Sequence, residues 1–203
     1  MLKKSLGRMS FKAALFLVPL ALCLRAADEK SGGQWVSLFN NKDLSGWTKV
    51  NDGTFIATNG MIHLEGGKGW LRTERQFTNF IFEVEWRGLE TNFNSGVFLR
   101  APLDGNPWPE NVWQANFKQS AVGELLSGSN KVLTVRTPPP PVGAWVKFRV
   151  EARGRTLTLS INDVRAWEFK ELEPACGFIG LQAEGKAFDI RNLRILELPG
   201  EIR

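Results

Sequence analysis

The sequence predicts an all-β protein built as two packed antiparallel sheets, on three observations. Apolar and polar residues alternate along short runs such as 80–87 and 145–152. Successive strand side chains leave opposite faces, so this alternation marks half-buried strands. Gly, Pro, Asn and Asp clusters punctuate the runs at short intervals, and no segment carries the three-to-four-residue apolar period of an amphipathic helix. Short strands at such spacing close a core only by stacking sheet on sheet.

Taken in order, WVSLF (35–39) is the first expected strand and NNKDLSGW (40–47) a turn-rich connection. Residues 51–67 read as a hairpin on Asn59-Gly60, a pair suited to the positive φ angles of a tight turn. WLRT (70–73) follows a Gly-rich step. The run 79–88 sends Phe80, Phe82, Val84 and Trp86 one way and Ile81, Glu83, Glu85 and Arg87 the other. In the segment 94–124 two strands flank a Pro/Gly loop. Val97 and Leu99 oppose Asn94, Phe98 and Arg100; Trp113, Ala115 and Phe117 oppose Gln114, Asn116 and Lys118. Four consecutive prolines make 133–141 an extended loop, because proline cannot join an interior ladder. A hairpin over 145–162, a turn at Asn162-Asp163 into 164–169, and strands over 177–185 and 187–198 complete the chain.

The first 27 residues read as an export signal: Lys3, Lys4, Arg8 and Lys12 precede an apolar stretch, 13–24, too short to span a bilayer. Cleavage is expected after Ala26 or Ala27, leaving residues 28–203 as one exported domain, periplasmic or extracellular; lipid attachment at Cys23 and a retained anchor are the alternatives. Removing five basic residues and no acid from the 26 basic and 21 acidic residues leaves 21 of each. The mature chain is therefore neutral and has no basic stripe, which argues against nucleic acid as a partner. Cys176 would be its lone cysteine, without a disulfide, and reads as a small buried residue of a strand. One cysteine and one histidine, His63, build no zinc site. His63 lies in the 51–67 hairpin, away from the polar rows, and is expected to be structural.

Amides side by side, as at Gln114 and Asn116, suit hydrogen bonding to something polar and neutral. Eight tryptophans and no tyrosine leave scope for stacking on sugar rings, with Trp108 in the loop DGNPWPEN the best-placed candidate.

Four stretches, WVSLFNNKDLSGW, GWLRTERQFTNFIFEVEWR, NSGVFLRAP and GFIGLQAEGKAFDIRNLRI, carry a resemblance that spans 35–198. The chain resembles the 3-keto-disaccharide hydrolase domain family. That resemblance implies a concanavalin A-like jelly roll and a carbohydrate partner. It also implies chemistry on glycosides oxidised at C3, where a base takes the acidified C2 proton and the C1 oxygen leaves. It further implies that the polar faces share one cleft, the alternative being that they lie on different sheets and are merely solvated. Glu85, Arg100 and Glu184 are then the expected catalytic groups, with Asn94, Gln114, Asn116, Lys118, Gln182 and Trp108 binding substrate. Lys118 and Glu124 could equally form a salt bridge. Many relatives carry Glu where Gln114 stands, and an amide can neither act as a base nor carry charge. A non-catalytic sugar-binding module and a surface interaction domain are therefore the competing readings. No cofactor is evident, and a divalent metal stays open.

Overall fold

A computed structural model describes residues 33–200. The expected export signal, its cleavage site and Cys23 lie outside the described residues. The strands in chain order are β1 (Trp35–Ser37), β2 (Trp47–Asn51), β3 (Thr54–Thr58), β4 (Met61–Gly66), β5 (Lys68–Thr73), β6 (Phe80–Gly88), β7 (Gly96–Ala101) and β8 (Trp113–Asn116). After a 3-10 turn at Gln119–Ala121 follow β9 (Leu125–Ser127), β10 (Asn130–Leu133), β11 (Val146–Arg153), β12 (Thr156–Ile161), β13 (Val164–Phe169), β14 (Phe178–Glu184) and β15 (Phe188–Glu197). Among the described residues there is no α-helix.

The strands form two antiparallel sheets, as the alternation predicts. The first runs β13-β12-β11-β6-β15-β4-β3, with β1 on the flank of β15; the second runs β10-β9-β8-β7-β14-β5-β2. Two tight turns fix hairpin registers. Asn59 and Gly60 (φ 50° and 71°) join β3 to β4, and Asn162 and Asp163 (φ 48° and 67°) join β12 to β13. Positive φ at both turn residues matches the right-handed twist of the flanking strands.

Between the sheets lies one apolar core. Phe82, Val84 and Trp86 of β6 face Val97, Leu99, Ala115, Phe117, Ile179 and Leu181 from the second sheet, all buried. Trp86 stacks on Phe117 at 4.3 Å between ring centroids, and Phe93, Phe148 and Phe188 surround the pair. Such aromatic contacts add to the area that the rings bury.

Three strands are absent from the sequence expectation. β2 is a mixed edge strand, with Trp47 buried but Lys49 and Asn51 exposed, so it reads as loop. β9 and β10 are short, and β10 is almost wholly exposed; a pair that turns on Gly128 at the sheet edge leaves no periodic signal. Cys176 departs in another way. It is half-buried in the bend before β14, with Sγ 3.4 Å from Gln76 Oε1, and is not a free thiol.

Candidate functional site

Register places a set of polar side chains on the outer face of the second sheet. Trp70 of β5 pairs with Gln182 of β14, and Gly96 of β7 with Asn116 of β8; the next row holds Arg72, Gly180, Phe98 and Gln114. Beyond them Lys68 pairs with Glu184. Gln114 and Asn116 of β8 are thus neighbours of Gln182 and Glu184 of β14 across β7, on one face.

Glycine shapes this face. A Cβ at Gly96 would come 2.1 Å from Gln114 Nε2, so only glycine lets the Gln114 side chain lie across β7. There Gln114 Nε2 donates to Gln182 Oε1 (2.7 Å) and to the Ser95 carbonyl (3.2 Å). Ser95 Oγ in turn donates to the Gln182 carbonyl at 2.6 Å. At Gly180 a Cβ would strike the Trp70 ring at 2.5 Å. Trp70 and Phe98 meet edge to face here and form, with Ala101, Val112 and Phe178, a second apolar cluster outside the main core. The loop between β7 and β8 covers this cluster and is tied down by Asn51 Nδ2, which donates to the carbonyls of Gly105 and Pro107.

Trp108 packs against the same cluster and is half-buried. It anchors the loop rather than standing out as a free platform, which corrects the exposed stacking role expected for it.

The acidic member of the face is Glu184. Its Oε2 accepts a hydrogen bond from Asn94 Nδ2 at 2.8 Å. Burial pushes its carboxyl above the ordinary range, and the ammonium groups of Lys118 and Lys68 offset this only in part. Burial disfavours the charged form, so this is a carboxyl poised to hold and release a proton nearer neutrality than a surface glutamate. Lys118 is exposed. It does not pair with Glu124, whose Oε1 instead meets Lys131 Nζ at 2.9 Å. Asn116 Oδ1 accepts from the Lys118 backbone N–H at 3.2 Å.

Two expected members lie elsewhere. Arg100 belongs to β7, but the ladder slips between Phe178↔Ala101 and Gly180↔Phe98, three residues against two. That bulge, with Arg100 at φ 46°, takes its side chain off the outer face. Arg100 donates to the carbonyls of Thr78 (2.6 and 2.9 Å), Gly154 (2.7 Å) and Pro174 (3.1 Å). It is 1 % exposed, and burial lowers its pKa to about 10. It clasps three segments together and has no face toward a sugar.

Glu85 is on β6 in the other sheet. The expected single cleft is therefore not formed, because β6 and β14 stack rather than pair. Glu85 Oε2 accepts from Arg191 Nε at 2.8 Å, and Glu83 binds Arg149 and Arg194, each at 2.6 Å. His63, on β4 of that same sheet, meets Asp189 at 2.8 Å, as a structural histidine should.

Among the described residues no three His, Cys, Asp or Glu side chains converge as metal ligands. A groove of about 560 Å³ between the proline run and the β12–β13 turn is lined by Val122, Thr137, Pro140, Val146, Ile161 and Val164. Arg136, Arg165 and Asn162 also line it; it holds no carboxylate and none of the amide-face residues.

What the amide face can do follows from its groups. It offers one proton-accepting carboxylate, two lysines and three amide side chains. The Gln114–Gln182 bond uses one end of each amide, and each has further ends to offer a hydroxyl or carbonyl.

Comparison with known proteins agrees with this fold. The family described as the 3-keto-alpha-glucoside-1,2-lyase-like domain matches residues 34–196. No curated protein matches the chain. Among solved structures, a protein of Parabacteroides distasonis with a provisional glycosyl hydrolase designation superposes with a TM-score of 0.68 at 18% identity, covering 87% of this chain and 99% of its own. The carbohydrate binding module CBM66 from Bacillus subtilis gives 0.62 at 17% identity, with 73% and 94% covered. A Bacillus subtilis protein with a galectin-like fold gives 0.62 at 13% identity, with 83% and 97% covered.

Proposed function

The chain belongs to the 3-keto-alpha-glucoside-1,2-lyase-like domain family, and from that premise we propose that it is an exported enzyme that cleaves 3-keto-glycosides, with Glu184 as the base. The observation that carries this reading is the environment of Glu184: a carboxyl with raised pKa, held by Asn94, on the same face as three amides and two lysines.

The chemistry suits those groups. A ketone at C3 acidifies the C2–H bond, so a modest base suffices. Glu184, ionised, takes the C2 proton. The C–H electron pair first forms the C2=C3 bond of an enolate. As the C3 carbonyl re-forms, the C1=C2 bond forms, the C1–O bond breaks, the leaving oxygen takes a proton from water, and the hydroxide takes the proton from Glu184. Negative charge grows on the C3 oxygen in between. The side-chain N–H groups of Gln182 and Asn116 and the field of Lys118 are the available stabilisers of that charge. The expected base Glu85 takes no part, being on the other sheet. The basic and apolar leader supports export.

A second reading has its own support. At position 114 an amide stands bonded to another amide, which is how a face that binds sugar without breaking bonds would be finished. One experiment separates the two. Full-length protein is incubated with a panel of 3-keto-glucosides and the unoxidised glucosides, with aglycone release and binding both measured. The enzyme reading predicts release from the keto sugars only, and a loss of about 10²-fold or more in Glu184→Gln with binding retained. Binding without release by the wild type would instead establish the module.

A further inference from the structure

The outer face of the first sheet carries an arrangement that the proposed site does not use. The Trp145 ring lies against the Arg191 guanidinium, 3.8 Å from its centroid, and the Arg87 guanidinium, at 4.6 Å. Trp35 lies likewise against Arg194 (4.5 Å) and Arg149 (5.7 Å). Acids stitch the cations together from below. Asp189 binds Arg87, Glu85 binds Arg191, and Glu83 binds both Arg149 and Arg194. The layering is uneven. The Glu83 side chain is 7% exposed, whereas its partner Arg194 is 50% exposed. Asp189, at 9%, lies beneath Arg87 at 31%. With Lys147, which reaches the exposed Asp163 on the turn at its edge, the face presents cations and indole rings over buried carboxylates.

A cleft of about 440 Å³ opens in this face, lined by Trp35, Glu83, Glu85, Lys147, Asn192 and Arg194. The rows of Glu83 and Arg87 are four residues apart on β6, about 13 Å at a strand's rise of about 3.3 Å per residue. The two tryptophans, each over one of these rows, therefore flank a track longer than one sugar ring. We propose that this face is a second binding surface, distinct from the Glu184 site and on the opposite sheet, for a carbohydrate chain that bears anionic groups.

Each part of the face matches that ligand. Indole rings stack on the apolar C–H faces of sugars. Guanidinium groups bind carboxylate or sulfate through their N–H groups; Arg87 and Arg194 turn Nε and Nη2 to the acids beneath them, and their half-exposed remainder leaves Nη1 for a ligand. Glu83 and Glu85 spend their oxygens on the arginines around them, so a ligand meets the arginines and Lys147 first. Bulk attraction does not account for the face, because residues 28–203 carry 21 basic and 21 acidic residues. The surface is independent of catalysis on the other sheet, and its failure would leave that reading untouched.

The test is affinity electrophoresis of the full chain in gels containing polygalacturonate, dextran sulfate, neutral dextran or a single-stranded oligodeoxynucleotide. The two acidic glycans distinguish carboxylate from sulfate as the anion recognised. Retention by one or both, and not by neutral dextran, is expected. Lys147→Glu and Trp145→Ala should each weaken it about tenfold, and Glu184→Gln should leave it unchanged. The Lys147 ammonium forms its ion pair with the exposed Asp163, so its variant keeps the test open should Trp145→Ala fail to fold. Retention by neutral dextran or the oligonucleotide as strong as by the acidic glycans overturns the proposal. So does wild-type retention in both variants, or its loss in Glu184→Gln.

Discussion

Glu184 and Arg100 show how little a residue's type says about its task. Both are polar residues of the second sheet, on β14 and β7, and both were expected at the sugar. Glu184 sits where burial raises its pKa while the surface is still within reach. It works as a base when ionised, so kcat/KM should rise with pH through a value above 4.5, the ordinary value for glutamate. Lys118→Ala removes a charge that favours ionisation and should move that rise to higher pH, which a pH–rate profile reads directly. The same shift bears on stability. A carboxyl whose folded pKa is raised stabilises the fold below its unfolded pKa, and that contribution is lost as pH rises through the folded value. Glu184→Gln should therefore raise the melting temperature at neutral pH and leave it little changed at pH below 4.5. Arg100 is the reverse case. Its guanidinium satisfies carbonyls of three separate segments, so Arg100→Ala leaves buried acceptors unmet and should cost about 3 kcal/mol or more in denaturant unfolding. No local pattern marks this role. Alternation puts Arg100 beside Phe98 on the outer face, and only a bulge, invisible to a period-two reading, removes it.

At the scale of elements, alternation made most strands legible. The burial of Phe82, Val84 and Trp86, and of Val97 and Leu99, follows the pattern residue by residue. Asn59-Gly60 marked its hairpin for a definite reason, the positive φ of both turn residues. The edge strands β2, β9 and β10 were not legible because one-sided burial and short length erase the period. The β7–β8 pair holds the most telling element-level device, Gly96. Gly96→Ala adds a methyl group where the Gln114 side chain lies, 2.1 Å from its Nε2. The Gln114–Gln182 bond should break and sugar affinity fall about tenfold. Truncating the obstructing side chain in Gly96→Ala/Gln114→Ala should recover the stability lost in the single variant, and a double-mutant cycle in urea reads that coupling.

For the molecule as a whole, the sequence could say which residues point out of a sheet but not which sheet they leave. Glu83 and Glu85 looked equivalent to Gln182 and Glu184 until the strand order separated β6 from β14. That order depends on long-range pairing, which no local pattern encodes. The two outer faces differ in charge logic as a result. On the first sheet burial raises the carboxyl pKa values of Glu83 and Asp189, but the hydrogen bonds from Arg194 and Arg149, and from His63 and Arg87, outweigh it and hold both low. Such groups stabilise the fold above their unfolded pKa, and the contribution is lost as pH falls through the depressed folded value. Urea midpoints should thus decline below pH 4.5, and Glu83→Gln should flatten that decline while lowering the midpoint at neutral pH.

If Glu184 is the base, the face around it does chemistry at C2 of an oxidised sugar. Exchange of the C2 proton of a 3-keto-glucoside, followed by NMR in deuterium oxide with protein present, tests it most directly. Exchange or elimination at C2 is expected with the wild type and with Glu85→Gln, and loss of both with Glu184→Gln. Full activity at C2 in Glu184→Gln, or its loss in Glu85→Gln alone, would contradict it.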